Sequence, residues 1–273
     1  MNKLKINLHI TQKCNYSCRY CFAHFFNTND LSVEQWKIII DNLENSNLIN
    51  YINFAGGEPC LYKGLLELID YAKNKGFKTS IITNGSLLLH ENIPTKDLFS
   101  KIDMLGISVD SFDKNDLIKL GCCTKQKNIL EKSQLKEIIY LAKTINPNVK
   151  IKLNTVVSYI NKNTQLTYIE NEIIIDRWKF LKMKLFSNKE FSNKDLLIFD
   201  EEFEKFLKLN QRTNGEVIAE NSLERSYLII DNQGNFIDNK NDNYKIIGNL
   251  LKENFSNLFS KYQFDRELYK KRY

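Results

Sequence analysis

The chain has 273 residues, a formal net charge of +6 and a hydrophobic content of 42%. That composition excludes a disordered chain, and the length suits one large α/β domain with a real core. No run of about twenty apolar residues occurs, so we expect no membrane span. Strand-like sequence begins at Lys5, which leaves no room for a signal peptide, and six cysteines without an export signal predict the reducing cytoplasm.

The chain is predicted to alternate strands with helices. Strands are expected at 5–11, 51–55, 77–83, 104–109, 149–157 and 173–181. Helices are expected from Ser32, where Gln35 completes a capping box, and at 65–75 and 131–145. Six such units imply parallel strands with right-handed crossovers, hence an α/β fold with an open, partial (βα)6 TIM-like barrel over 1–187.

The rhythm is predicted to change after about Ser187. A helix near 200–209, a hairpin over 227–237 and a last helix near 253–262 predict an α+β extension over 188–273. We find no internal repeat and no low-complexity linker, so this extension is expected to attach directly to the barrel.

Three cysteines follow the first strand with the spacing C-x3-C-x2-C. They are Cys14, Cys18 and Cys21. Four cysteines close an iron–sulfur cluster for electron transfer, whereas three leave one iron open, as catalytic metal sites do. The alternatives are a structural zinc site, for which His24 is the only local fourth ligand, and buried thiols without a metal.

A second motif, NFAGGEP at 53–59, ends the second predicted strand. Its glycines lack a Cβ, so the main chain at Gly56 and Gly57 can approach a ligand closely. As a turn signal alone this pair of glycines would be weak evidence. Its position after the cysteine triplet makes the combination specific.

Basic residues alternate with apolar ones along two later strands. Lys152 and Asn154 alternate with Ile151 and Leu153, and the next strand carries Arg177 and Lys179 around Trp178. Because the apolar face packs under the helices, the polar face is expected to point into the barrel. No acidic residue alternates with these cations, so we predict a site for a polyanion such as a nucleoside triphosphate. The alternative is that these side chains are solvated at an open barrel edge.

The chain resembles the viperin family of radical S-adenosylmethionine (SAM) enzymes almost from end to end. The shared segments include CNYSCRYCFA at 14–23, INFAGGEP at 52–59, TNGS at 83–86 and ISVDSFD at 107–113. They continue with KLN at 152–154, RWK at 177–179, DEEFEKF at 200–206 and SYLIID at 226–231. The tail segments are the more discriminating ones, because many enzymes share the cysteine motif.

This resemblance implies a reaction and its cofactors. A 4Fe–4S cluster held by the three cysteines would cleave SAM, and the resulting radical would take the 4′ hydrogen of a nucleoside triphosphate (CTP, UTP or GTP). Loss of the 3′ hydroxyl as water and one reduction would give a 3′-deoxy-3′,4′-didehydro nucleotide, which terminates viral RNA chains. The enzyme would be a cytoplasmic monomer that takes electrons from flavodoxin or ferredoxin and binds neither nucleic acid nor membranes.

The resemblance also implies roles for individual residues. SAM would be held by Phe22, Gly56, Gly57, Glu58, Asn84 and Ser108. The nucleotide would be held by Asn7, Lys152, Asn154, Arg177 and Lys179. Tyr227 would donate hydrogen to the substrate radical, although it could instead be a core aromatic.

The chain departs from the family in one stretch. Residues 117–128 lack the arginine that meets the SAM carboxylate in viperin, and Lys119 is the candidate substitute. Cys122 and Cys123 have no family role, and Cys60 is expected to be incidental. Two other hypotheses remain: a radical SAM enzyme that acts on a peptide or a tRNA base, and a non-catalytic iron–sulfur protein.

Overall fold

The computed structural model describes residues 3–21, 29–185, 192–212, 216–220, 225–240 and 244–272. The strands within these ranges are β1 Leu4–Thr11, β2 Ile49–Gly56, β3 Lys78–Thr83, β4 Met104–Ser108, β5 Lys150–Val157, β6 Arg177–Lys182, β7 Glu216–Glu220, β8 Ile229–Ile230, β9 Asn235–Asp238 and β10 Lys245–Asn249. The helices there are α1 Val33–Ser46, α2 Leu65–Asn74, α3 Thr95–Lys101, α4 Lys114–Leu120, α5 Lys132–Ile145, α6 Asp200–Leu209, α7 Phe255–Ser260 and α8 Arg266–Arg272.

The ten strands of these ranges form one sheet in the order β10-β9-β8-β1-β2-β3-β4-β5-β6-β7. Neighbours from β1 to β7 are parallel, and β8 also lies parallel to β1. Strands β8, β9 and β10 form an antiparallel meander on the other side of β1. The α/β fold with six parallel barrel strands is therefore confirmed, and the predicted hairpin after Tyr227 is present.

The extension contains three elements that were not predicted, namely β7, β10 and α8. The strand that follows α6 pairs parallel to β6, so the alternation of strand and helix continues one unit further than expected. The sixth strand also begins later than predicted, at Arg177 rather than at 173. The physical reason is Asp176, whose carboxylate accepts from the Ile151 N–H (2.8 Å) and so fixes a turn immediately before the strand.

Local capping explains where α1 begins. The Gln35 N–H donates to Ser32 Oγ (3.3 Å) and the Ser32 N–H donates to Gln35 Oε1 (2.9 Å), which is the predicted capping box. The helix then buries Trp36, Ile40 and Leu43 against the sheet. Its position next to β1 and β2 leaves the opposite face of the sheet open for the site.

The helix side of the sheet is the apolar core. The rings of Trp178 and Phe180 on β6 pack together, with centroids 5.4 Å apart, and Phe180 packs against Phe206 of α6 at 5.3 Å. The indole N–H of Trp178 donates to Thr155 Oγ1 (2.9 Å), which satisfies its only polar atom. In the described part of the chain, no helix combines the length and the apolar character that crossing a bilayer requires.

Candidate active site

One cavity of about 280 Å³ lies along the inner face of the sheet, toward the carboxyl ends of the parallel strands. Its wall includes residues of β1 to β6 and the segment before β8. Barrel enzymes place their active sites at this end. The predicted residues that line it are Asn7, Cys14, Cys18, Cys21, Gly56, Gly57, Asn84, Ser108, Lys152, Asn154, Lys179 and Tyr227.

Two of the predicted residues that the structure describes are not part of that wall. Glu58 is completely buried behind it. Arg177 is half-buried at the start of β6, below the section of the strand that lines the cavity. Phe22 lies outside the described residues. Lys119, the candidate substitute for the missing arginine, is exposed and does not line the cavity either.

The three cysteines occupy one loop after β1. Cys14 is exposed, whereas Cys18 and Cys21 are half-buried, and the Cys21 N–H donates to the Cys18 carbonyl (3.1 Å). In the described ranges, no three His, Cys, Asp or Glu side chains converge closely enough to hold a single metal ion. Cys14, Cys18 and Cys21 line one cavity wall, and three thiols match the protein ligands of a cubic cluster that keeps one iron open.

Close backbone contact brings the GGEP turn against this loop. The Gly57 N–H donates to the Thr11 carbonyl (2.7 Å), and the Glu58 N–H donates to the Lys13 carbonyl (2.7 Å). A Cβ on Gly57 would lie 2.2 Å from the Lys13 oxygen, closer than any real contact. Glycine is thus required here so that the turn and the cysteine loop can form adjacent parts of one wall.

Glu58 joins this turn to the loop after β3. Its carboxylate accepts from the Cys60 N–H (3.1 Å), the Thr83 hydroxyl (2.7 Å) and the Asn84 N–H (2.8 Å). Burial raises the pKa of Glu58, while these hydrogen bonds oppose that shift. Both oxygens of Glu58 are engaged by the protein itself, and one of them holds the Asn84 backbone at the cavity wall.

Asn84 in turn contacts the cysteine loop. Its amide donates to Asn15 Oδ1 (2.9 Å), and its carbonyl oxygen accepts from the Ser86 hydroxyl (2.6 Å). Asn15 also donates to that hydroxyl oxygen (2.8 Å). This ring of hydrogen bonds fixes the loop after β3 relative to the residue that follows Cys14.

Five lysines line the cavity, and three of them are nearly buried. These three are Lys5 on β1, Lys152 on β5 and Lys179 on β6, all at most 8% exposed. Burial, together with the nearby charges of Lys179 and Arg177, lowers the pKa of Lys5 to about 7. The Lys5 ammonium also lies 4.0 Å above the ring of Tyr51. Positive charge is therefore concentrated in a space with little access to water.

The pairing of β5, β6 and β7 determines which of these polar and charged residues are neighbours in the sheet. In the sheet register, Lys152 is opposite Arg177 and Asn154 is opposite Lys179. The next strand, β7, places Glu216 opposite Arg177. The sequence pattern within β5 and β6 could not reveal this acidic residue, because the strand that carries it was not predicted.

Asn7 connects the extension to the barrel next to Tyr227. Both the backbone N–H and the side-chain amide of Asn7 donate to the Leu228 carbonyl, at 3.0 and 2.9 Å. Asn53 donates to Asn7 Oδ1 (3.0 Å), which orients that amide. Tyr227, the predicted hydrogen donor, is half-buried and lines the cavity. Because Leu228 follows it directly, the Leu228 carbonyl keeps Tyr227 close to Asn7, the predicted nucleotide ligand.

Sequence reasoning missed several cavity residues. Lys5 lies two residues before Asn7 on the same face of β1, so extending the alternation of Asn7 and His9 toward the N-terminus would have identified it. His9 is fully buried, and burial lowers its pKa to about 4, so its imidazole is neutral at pH 7. Tyr20 and Asp110 have no signal beyond their place next to Cys21 and Ser108.

The comparisons with known proteins agree with this site. Residues 8–162 match the sequence profile of the Radical SAM superfamily, which defines the class of enzyme. A SAM-dependent nucleotide dehydratase of Selenomonas ruminantium is 48% identical over 269 residues, covering 98% of each chain. The chain belongs to the family of SAM-dependent nucleotide dehydratases, the viperin family. Its cofactors are a 4Fe–4S cluster and SAM, and its substrate class is a nucleotide.

More distant relatives give the same result. A nucleotide dehydratase of this family from the fish Oncorhynchus mykiss is 30% identical over 245 residues, covering 85% of this chain and 68% of the relative. Among solved structures, Streptococcus suis SuiB bound to SAM has a TM-score of 0.67 at 16% identity, covering 98% of this chain and 67% of that one. The peptide-bound enzyme anSMEcpe has a TM-score of 0.68, also at 16% identity, with coverage of 98% and 83%. At such identity the structures support the fold alone.

Proposed function

We propose that this enzyme converts a nucleoside triphosphate, namely CTP, UTP or GTP, into its 3′-deoxy-3′,4′-didehydro analogue for antiviral defence. The observation that carries this proposal is one cavity with two chemically different parts. The cysteine loop and the GGEP turn follow β1 and β2, whereas Lys152 and Lys179 contribute to the same wall from β5 and β6, which lie farther along the sheet. A ligand with about four negative charges matches the second part.

The cofactor part of the cavity is assigned by chemistry and by the family resemblance. Cys14, Cys18 and Cys21 would hold the cluster, which leaves one iron for SAM. The SAM ligands would be Gly56, Gly57, Asn84 and Ser108, with Glu58 positioning Asn84 from behind and Phe22 retained from the resemblance. When bound, cluster and SAM supply a 5′-deoxyadenosyl radical.

The nucleotide part of the cavity orients the ribose toward that radical. Lys152 and Lys179 would bind phosphate oxygens, with Asn154 opposite Lys179 in the register, while Arg177 adds positive charge from its place opposite Lys152. Asn7 would contact the nucleotide near Tyr227. Because both lysines are nearly excluded from water, their charge-assisted hydrogen bonds are weakly screened.

The proposed dehydration balances as follows. The substrate loses its 4′ hydrogen atom, and the 3′ hydroxyl then takes up one proton and leaves as water. One further electron completes the C3′–C4′ double bond. Tyr227 would supply this proton and electron together as a hydrogen atom. A flavodoxin or ferredoxin would supply the electron that restores Tyr227 and the one that starts the reaction.

Three further assignments complete the proposal. We place the barrel at 1–187 and the extension at 188–273. Tyr227 belongs to the extension and lines the cavity, so the extension would complete the nucleotide site. The enzyme would act as a monomer, since every residue assigned above belongs to one chain. It would work in the cytoplasm, where thiols stay reduced and nucleoside triphosphates are available, without binding nucleic acid or membranes.

Anaerobic reconstitution tests the proposal. The reconstituted enzyme is incubated with SAM, a reductant and one triphosphate at a time, and both 5′-deoxyadenosine and the dehydrated nucleotide are measured by mass spectrometry. We expect one of CTP, UTP or GTP to give both products in equal amounts. Formation of 5′-deoxyadenosine that no triphosphate stimulates would contradict the proposed substrate.

A further inference from the structure

The stretch in which this chain departs from its family contacts the cysteine loop directly. The Ser17 N–H donates to the Gly121 carbonyl (3.1 Å), and the Arg19 N–H donates to the Leu120 carbonyl (2.9 Å). Cys18 lies between these two donors in the sequence. The last residues of α4 thus support the cysteine loop from below, as a neighbouring strand would.

Gly121 makes this approach possible. It ends α4 in the left-handed conformation, with φ at 74°, which favours glycine. A Cβ at this position would lie 2.2 Å from the Ser17 carbonyl oxygen. Any larger residue would therefore have to push the cysteine loop away from the helix.

A cluster of polar side chains joins the two segments. The Tyr20 hydroxyl hydrogen-bonds to Asp110 Oδ2 and lies 3.2 Å from Cys122 Sγ. The Cys122 thiol in turn donates to the same Asp110 oxygen (3.5 Å). The other oxygen of Asp110 accepts from the Val156 N–H on β5 (2.7 Å). One buried carboxylate thereby connects a barrel strand, the cysteine loop and the residue after Gly121.

Apolar packing surrounds the same cluster. Cys122 is 5% exposed and belongs to a small core with Leu117 and Leu120, separate from the main core. Cys18 and Tyr20 pack against this small core from the cysteine loop. Cys122 therefore lies beside a proposed iron ligand while its own sulfur is engaged by Tyr20 and Asp110.

We propose that residues 120–122 are the seat of the cluster-binding loop and that Cys122 is a positioning residue rather than an iron ligand. This inference rests on the ligand set in the proposed function. The seat holds the backbone on both sides of Cys18 in place through the hydrogen bonds of Ser17 and Arg19. Groups that orient metal ligands from a second layer commonly change metal affinity by about 10- to 100-fold when they are removed.

The test uses Cys122→Ala with Cys123→Ala as the matched control. Cys123 is the adjacent cysteine and is not part of the hydrogen bonds around Asp110. After anaerobic reconstitution we expect both variants to bind as much iron as the unmodified enzyme. Cys122→Ala should then release its iron to a chelator about 10-fold faster, and its reduced cluster should show a changed EPR spectrum with SAM. Cys123→Ala should behave as the unmodified enzyme in both measurements.

A second variant separates the seat from simple loss of packing. Gly121→Ala should bind less iron than Cys122→Ala, because it displaces the Ser17 backbone itself. Thermal melting and circular dichroism of each variant show whether the chain is folded. If Gly121→Ala does not fold, Tyr20→Phe replaces it in the test, because this change removes only the Tyr20 hydroxyl from the cluster of polar side chains.

The outcomes distinguish the two proposals. Identical iron release and EPR spectra for Cys122→Ala and Cys123→Ala would overturn the positioning role. Loss of iron from Cys122→Ala as complete as from Cys18→Ala would also overturn it, because Cys122 would then be a ligand. Full iron binding by Cys18→Ala would instead refute the ligand set of the proposed function.

Discussion

Replacing Lys152 by alanine should weaken triphosphate binding strongly while leaving SAM binding unchanged. Lys152 is 8% exposed and lines the cavity from β5. A hydrogen bond from a charged group contributes about 1.5–3 kcal/mol. At about 1.4 kcal/mol per tenfold change, Kd for the nucleotide should rise about 10- to 150-fold.

Lys150→Ala is the matched control for this experiment. Lys150 lies two residues earlier on the same strand, but its side chain is 61% exposed and pairs with Asp176 at 2.9 Å. Its loss removes the same charge from the protein without changing the cavity. Calorimetric titration of each variant with triphosphate and, separately, with SAM gives the four constants needed. If both variants weaken nucleotide binding equally, or if Lys152→Ala weakens SAM as much as nucleotide, the assignment of the basic part of the cavity is wrong.

Three other predictions follow from the site. Tyr227→Phe keeps the ring and removes only the hydroxyl, so mass spectrometry should find 5′-deoxyadenosine still forming while the dehydrated nucleotide falls sharply; an unchanged product ratio would remove Tyr227 from the mechanism. Cys18→Ala should lose most of its iron, whereas Cys60→Ala should keep it, because Cys18 lines the cavity and Cys60 does not; iron analysis decides, and equal losses would contradict the ligand set. Burial lowers the pKa of His9 from 6.5 to about 4, so between these two pH values the unfolded chain binds a proton that the folded chain does not. The free energy of unfolding therefore decreases as the pH is lowered through that window, by up to about 3 kcal/mol. His9→Gln should flatten that part of the pH dependence in urea unfolding, and an unchanged slope would show that His9 is not the group responsible.

The sequence predicted the barrel well because its signals are local. Alternation along β1 and β5, the capping box at Ser32 and the glycine after α2 each depend on a few adjacent residues. The cysteine triplet and the GGEP turn are local as well. These features specify the strands and the two motifs without any information about long-range contacts.

Several short elements were missed because their signals are weak, among them α4 and β7. Helix α4 has seven residues, although Asp113 caps its start by accepting from the Asn115 and Asp116 N–H groups at 2.8 and 3.0 Å. A cap followed by Gly121 in the left-handed conformation would have been a usable signature. Strand β7 is recognised only through its pairing with β6, which a pattern within one segment cannot show.

The role of Glu58 illustrates the limit for site residues. The resemblance to a family assigns it to the cofactor, yet its carboxylate is enclosed by Cys60, Thr83 and Asn84. Which atoms a buried side chain contacts depends on the packing of loops that are distant in sequence. That information enters only with the three-dimensional structure.

The hydrogen bonds between Asn7 and Leu228 have a consequence for biosynthesis. They join residues 221 positions apart in the chain, and β8 covers one edge of β1. At ribosomal rates of about 5–20 residues per second, that edge stays uncovered for roughly 10–45 s after β1 is made. An uncovered strand edge is a template for pairing with other chains. The nascent barrel should therefore depend on chaperones until residues 225–240 emerge, and only then does the nucleotide cavity acquire its last wall.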